Sequence, residues 1–331
     1  MTVATVRRKA EGGARAGTET LTLLSMPINV FVLQALAGES KALMDLRRDA
    51  GSPPATTMRG HLRTLTETGV ITRRRQNEFP GALNFELTSV GRELLGVAAV
   101  LQAWLAEAPE QSLQLGTPAA KGTIKALVEG WGTSMLRALA ARPLTLTELD
   151  RLIAGLSYPS LERRLGAMRL SGQIKACPSP ERGTPYAVTP WLRRAIAPLA
   201  AAARWERASV PSYTAPITKL DAEAAFLLAI PLIESVDPEL SGACRFAVQI
   251  ASGDGERLAG VLINVDEGRV VSCATKHQGH TDAWASGPAS AWLQAVIGHD
   301  TDRLEIGGDC DLARALIDGL HGVLFGSRQR R

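Results

Sequence analysis

Leu33-Gln-Ala-Leu-Ala37 returns about 103 positions later as Leu136-Arg-Ala-Leu-Ala140. At the same offset Leu46 falls on Leu149, Arg48 on Arg151, Leu62 on Leu165, Gly69 on Gly172 and Ile71 on Ile174, without a gap. After a slip of about two residues, Asn84-Phe-Glu-Leu-Thr88 meets Pro185-Tyr-Ala-Val-Thr189, and Arg92 meets Arg193. Residues 29–92 are thus echoed by residues 132–193. An echo of this length is a copied domain and not a short solenoid repeat. The reading of one copy therefore decides the reading of most of the chain.

The first copy opens with Leu21 to Ala37, where Leu24, Ile28, Phe31, Val32, Ala35 and Leu36 recur at helical spacing and Gly38 supplies a stop. A short helix is expected from Ser40 to Asp49, with Leu43 and Leu46 inward, then a turn at Gly51-Ser-Pro-Pro54. A third helix runs from Ala55 to Thr68. Its Met58, Leu62 and Leu65 share one face, which leaves Thr56, Thr57, Arg59, Gly60 and Arg63 pointing the other way. Gly69 ends it. The period then changes to that of strands in Val70–Arg75 and Leu83–Leu87, with Pro80-Gly81 in the turn between them. Thr88 caps a long amphipathic helix to Glu107.

Three helices, a two-stranded hairpin and a closing helix make a winged helix-turn-helix. A short helix with small and basic outward residues fits the major groove of duplex DNA, and Arg73, Arg74 and Arg75 on the hairpin suit the flanking phosphates. The same arginines would also serve as a solvated edge that discourages strand pairing. The copies differ where it matters: Arg59 is matched by Glu162 and Arg63 by Gly166. The second copy still offers Ser160, Arg163 and Arg164 on its helix, and Lys175 and Arg182 on its hairpin. The first is expected to be the better DNA reader, the second a looser binder or a pseudo-partner. The helix after Thr88 carries Leu94, Leu95, Val97, Val100, Leu101 and Trp104, enough to bury against its own chain or against a second copy.

The runs Thr66-Glu-Thr-Gly-Val-Ile-Thr-Arg73 and Phe85-Glu-Leu-Thr-Ser-Val-Gly-Arg-Glu-Leu94 resemble bacterial HxlR-type regulators, relatives of the MarR group. The second copy resembles them in Trp131-Gly-Thr-Ser-Met-Leu-Arg-Ala-Leu139, Ser160-Leu-Glu-Arg-Arg-Leu165 and Tyr186-Ala-Val-Thr-Pro190. Members commonly act as dimers whose two units address two half-sites. The resemblance implies that one chain places both units on DNA, at an asymmetric site.

With 331 residues, 45% apolar and 21% charged, the chain is long enough for two or three domains of ordinary globular composition. Residues 111–212 carry a net charge of +8 and residues 213–326 a net −9. That asymmetry points the basic part toward a polyanion and gives the acidic part another task. Met1–Gly17 is basic and rich in small residues but lacks the apolar centre of a secretion signal, and no apolar run reaches the roughly 18–20 residues needed to span a bilayer. A cytoplasmic protein with no membrane contact is expected. Cys177, Cys244, Cys273 and Cys310 lie far apart without a CxxC pair, which argues against a zinc site or disulfide framework. Cys177, beside basic residues, is at most a redox-sensing thiol. Cys273, His277, His280 and Asp282 match no metal-ligand spacing, and no GxSxG, Walker or HExxH motif occurs. No enzyme activity and no cofactor is expected.

From about Ile217 the character shifts. A helix is expected from Asp221 to Ser235, then strands at Cys244–Ala251, Arg257–Asp266 and Arg269–Lys276 joined by tight turns. Helices at Pro288–Ile297 and Cys310–Phe325 follow, with a short strand at Arg303–Ile306 between them. Asp282-Ala-Trp-Ala-Ser-Gly-Pro-Ala-Ser-Ala-Trp-Leu293 and Leu304-Glu-Ile-Gly-Gly-Asp-Cys-Asp-Leu-Ala313 resemble the sterol carrier protein domain. That family encloses an apolar tunnel between sheet and helices. The resemblance implies a small hydrophobic effector, with Phe226, Phe246, Trp284, Trp292 and Phe325 as candidate lining residues or simply as core.

The expected fold is mainly α with an α+β part: two winged helix-turn-helix domains followed by an α+β sterol-carrier-protein-like domain. The bounds are 1–20 for a basic arm, 21–110 and 121–210 for the winged units, and 217–326 for the last domain. The expected function is transcription regulation on double-stranded DNA, with a C-terminal domain that senses a ligand or mediates assembly, as a single chain or a homodimer. The alternative is a hydrophobic-metabolite carrier or protein-interaction module whose winged units do not bind DNA.

Overall fold

The computed structural model describes residues 15–75, 83–180, 183–210, 215–252, 255–275 and 279–326. The first unit runs α1 (Thr18–Leu24), α2 (Pro27–Ala35), β1 (Lys41–Ala42), α3 (Leu43–Asp49), α4 (Ala55–Glu67), β2 (Ile71–Arg75), β3 (Leu83–Leu87) and α5 (Ser89–Ala106). The helix expected over Leu21–Ala37 is two helices. Met26 is extended and Pro27 opens α2 as its first residue, where a missing N–H costs nothing. Between α3 and α4 the chain reverses through Gly51 and Ser52, both at positive φ (77° and 59°). Arg47 Nε donates to Pro53 O at 2.7 Å and holds that turn.

Residues 118–209 pass through a similar order: α6 (Pro118–Gly132), α7 (Met135–Ala141), α8 (Leu146–Leu152), α9 (Tyr158–Leu170), β4 (Ile174–Ala176), β5 (Tyr186–Val188), α10 (Pro190–Arg194) and α11 (Ile196–Ser209). The correspondence reaches single hydrogen bonds. Gly69 and Gly172 each leave a helix at positive φ, 72° and 73°. Val70 N–H then donates to Leu65 O and Gln173 N–H to Met168 O, both at 2.9 Å. The Thr88 hydroxyl donates to Gly69 O (2.7 Å) and accepts from Gly91 N–H. Thr189 does the same with Gly172 O (3.0 Å) and Leu192 N–H. The β1 pairing of Lys41 with Phe85 has its counterpart in an isolated bridge between Leu144 and Tyr186.

The apolar face of α5 is covered by the same chain, through α11. Trp104 and Trp191 stack with ring centroids 4.5 Å apart and 2° between planes. Each indole N–H donates to the other residue's carbonyl, at 3.0 and 2.8 Å. The echo pairs Trp104 with Trp205 and Val90 with Trp191, and Trp205 Nε1 donates to Val90 O at 3.0 Å. A contact from i to j is thus matched by one from j to i, as in a two-fold dimer interface. All three rings are buried, and their N–H groups are satisfied. Glu206 of α11, buried, accepts from Gly17 N–H (2.7 Å), Thr20 N–H (2.9 Å) and the Thr20 hydroxyl (2.9 Å), so the second unit caps the opening of the first.

The remaining residues form α12 (Lys219–Ala229), β6 (Gly242–Ser252), β7 (Gly255–Asp266), β8 (Arg269–Ala274), β9 (Ala283–Pro288), α13 (Ala289–Gly298), β10 (Glu305–Gly308) and α14 (Cys310–Phe325). The sheet order is β10-β9-β6-β7-β8, antiparallel except for β6 and β9, which run parallel. α12, α13 and α14 pack on this sheet. Phe246, Val261, Ile263, Ala285 and Leu316 lie buried between them. Two cations tie this part to the second unit. Arg137 of α7 is paired with Asp221 of α12 in a buried contact. Arg193 of α10 donates to Leu227 O at 2.8 Å, near the end of α12, where carbonyls lack helical partners.

Candidate nucleic-acid interface

α4 is fixed from below and free above. Met58, Leu62 and Leu65 are buried under it, as the spacing predicts, while Thr56, Thr57, Arg59 and Arg63 are exposed. His61, half-buried at the margin, joins α4 to α2. Asn29 Nδ2 donates to Leu23 O, so its Oδ1 accepts from His61 Nδ1 at 2.8 Å. Burial, and then the nearby Lys121, hold the His61 pKa below its ordinary value, so the ring is kept neutral.

A groove of about 370 Å³ separates the outward face of α4 from the β2–β3 hairpin. Thr56, Arg59, Arg63 and Arg73 all line it. Arg73 reaches it across the Phe85 ring, with its guanidinium carbon 5.9 Å from the ring centroid. Arg74, one residue on in the strand, points to the other side, where Glu86 lies 3.7 Å away. The Arg63–Glu67 contact is 3.9 Å. Both pairs are solvent-exposed and worth little, so these arginines are free to exchange a carboxylate for a phosphate. Arg75 closes β2. The floor of the groove is apolar: Leu43 and Phe85, with Met44 (66% exposed) and Leu83 (44%) at the adjoining rim. Sequence reasoning missed these. The available signal was Met44 and Leu83 standing off the inward stripe.

The second unit presents a different surface. Arg163 and Lys175 are exposed. Ser160 is half-buried and accepts from the Ser157 hydroxyl at 3.0 Å. Arg164 does not share the outward face. Only 20% of its side chain is exposed, and it turns to α6, 3.8 Å from Glu129, because its place on the helix is that of His61. Arg182 lies outside the described residues. Leu152, Tyr158 and Leu170 are exposed where the echo puts Asp49, Ala55 and Glu67 in the first unit.

Residues 24–112 match the HxlR-like helix-turn-helix family. A comparison with curated proteins finds no match. The HxlR-like match spans α2 to α5 and so contains the whole groove. Its family is one of DNA-binding transcriptional regulators, and the matched segment carries the exposed cationic face described above.

Elsewhere, Phe226, Phe246 and Trp292 form a cluster with centroids 4.9–5.7 Å apart, and Trp292 Nε1 donates to Ala247 O at 2.8 Å. Of the five aromatics expected to line a ligand site, Phe226 and Trp292 face an apolar cavity and Phe246 lies behind them in the core. Trp284 is 38% exposed and lies against Gly307 on the sheet, and Phe325 stacks near His321 at the end of α14. Neither lines that cavity. Burial pushes the Cys244 and Cys273 thiols up to about 12, so both stay protonated. Among the described residues no three His, Cys, Asp or Glu side chains converge, and His277 lies outside them. No helix among the described residues is long and apolar enough to cross a membrane.

Proposed function

We propose that the chain is a sequence-specific transcriptional regulator whose HxlR-like unit inserts α4 into the major groove of duplex DNA. The observation that carries this reading is the groove in which Thr56, Arg59, Arg63 and Arg73 converge between helix and hairpin. Arg59 and Arg63 project toward base edges, and Arg73 and Arg74 lie along flanking phosphates.

Residues 118–209 are read as a second winged helix-turn-helix. The matching hydrogen bonds at Gly69/Gly172 and Thr88/Thr189 and the reciprocal tryptophan contacts support that reading. On it, the family's two-chain dimer is replaced by a two-fold arrangement within one chain, and a homodimer is not required. The second unit has a reading of its own: exposed Leu152, Tyr158 and Leu170, with Glu162 and Gly166 in place of arginines, favour contact with protein over contact with phosphate. The C-terminal part is read as a sterol-carrier-protein-like domain with a sensing role, supported by its helix-covered sheet and apolar interior.

The test is fluorescence anisotropy with DNA from upstream of the chain's own gene, at several salt concentrations. Log Kd should rise with log salt at roughly 0.9 per phosphate neutralised. Binding that is weak at low salt and indifferent to salt would refute the regulator and leave a carrier or protein-interaction module.

A further inference from the structure

Three parts of the molecule meet around a cavity of about 130 Å³. Its lining is almost wholly apolar, with Leu199, Ile217 and Leu293 among the larger side chains and alanines where the helices converge: Ala200 and Ala203 of α11, Ala225 of α12 and Ala289 of α13. Trp131, Phe226 and Trp292 flank it. Small residues from three helices directed at one point leave a void that none of them fills. We propose that this cavity binds a small, uncharged, apolar effector of about one substituted aromatic ring, and that its occupancy repositions α11. The effect on DNA rests on the regulatory reading above; the site itself does not.

Size and chemistry select the ligand. An apolar cavity of roughly 150 Å³ takes up benzene, whereas drug-sized molecules need about 300–1,000 Å³. The polar residue in the wall is Asp221, and its carboxylate is engaged: Arg137 on Oδ1, and the Thr218 N–H (3.0 Å) and hydroxyl (2.6 Å) on Oδ2, with Arg15 at 3.8 Å. A charged ligand would lose its hydration without gaining a partner.

Position supplies the coupling. The α11 helix that lines the cavity with Ala200 and Ala203 also carries Trp205 and Glu206, which hold Val90, Gly17 and Thr20 of the first unit. Ala16, just before α1, lines the cavity too. A Cβ on Gly17 would fall 2.6 Å from Leu199 O, so this segment is seated on the α11 backbone. An occupant therefore touches the first unit, the second unit and the C-terminal domain at once, and a small helix shift there moves the DNA-facing first unit relative to the second.

Toluene is the probe. Calorimetry on the full chain should give saturable one-site binding, weakened at least tenfold in Ala225→Leu, which fills the void. Ala200→Leu replaces it if circular dichroism finds the first variant unfolded. Saturating toluene should change the Kd for duplex DNA at least threefold in the parent chain and leave that of the filled variant unmoved. Absence of saturable binding of toluene, chlorobenzene and indole would overturn the site. Toluene binding with an unaltered DNA Kd would overturn the coupling. A chain that binds toluene but no duplex at any salt keeps the site and loses the regulator.

Discussion

Arg73 and Arg74 are neighbours in one strand, yet they face opposite sides of the hairpin, one over Phe85 and one beside Glu86. Both reach solvent, and on the proposed docking both meet backbone. Arg73→Ala with Arg74→Ala should weaken binding to every duplex alike and reduce the salt slope by about 2, one per lost phosphate contact. Arg59→Ala should instead cost about 1–3 kcal/mol of discrimination between the preferred site and a single-base variant, measured as a ratio of Kd values. His61 adds a pH dependence. Its pKa is depressed in the fold, so its contribution to stability is complete above the ordinary value of 6.5 and is lost as pH falls toward the folded value. Urea midpoints should therefore drop between pH 8 and pH 5.5, and His61→Gln should flatten the part of that drop owed to the ring. An unchanged profile would mean that the Asn29 contact tolerates an imidazolium.

At the level of elements, the α5–α11 contact is the one whose loss is easiest to read. Trp104→Ala removes a buried ring and leaves Trp191 without its stacking partner, so urea unfolding should show a loss of about 3–5 kcal/mol. Trp104→Phe keeps most of the area and loses the N–H bond to Trp191 O, a cost nearer 1 kcal/mol. Local pattern had already made α3, α4, both hairpin strands and α5 readable, because each carries its own periodicity and its own stop at Gly69 or cap at Thr88. The break at Pro27 was legible in principle but was outweighed by a continuous apolar stripe. β9 was not legible: Ala283-Trp-Ala-Ser-Gly-Pro288 is poor in strand-forming residues and is held by parallel pairing to β6, some forty residues away. The same limit applied to the tryptophan pair, separated by 87 residues, and to Arg164, whose inward turn depends on Glu129 of another helix. Properties carried by one element could be read from the chain; contacts between distant elements could not.

For the molecule as a whole, α5 and α11 cover each other, so on the proposed reading these two helices are not offered to a second copy. Sedimentation equilibrium at micromolar concentration should return one species near 35.2 kDa, and a mass twice that would place another interface elsewhere. The reciprocal tryptophan contacts have a consequence for heredity as well as for structure. In an assembly of two identical polypeptides, any change in the gene is made twice, so both reading heads must drift together. Here each codon is spent on one side only. On the proposed reading, that freedom is already visible where the echo sets Glu162 against Arg59 and Gly166 against Arg63, and it would let one half keep its grip on a promoter while the other acquires a different trade.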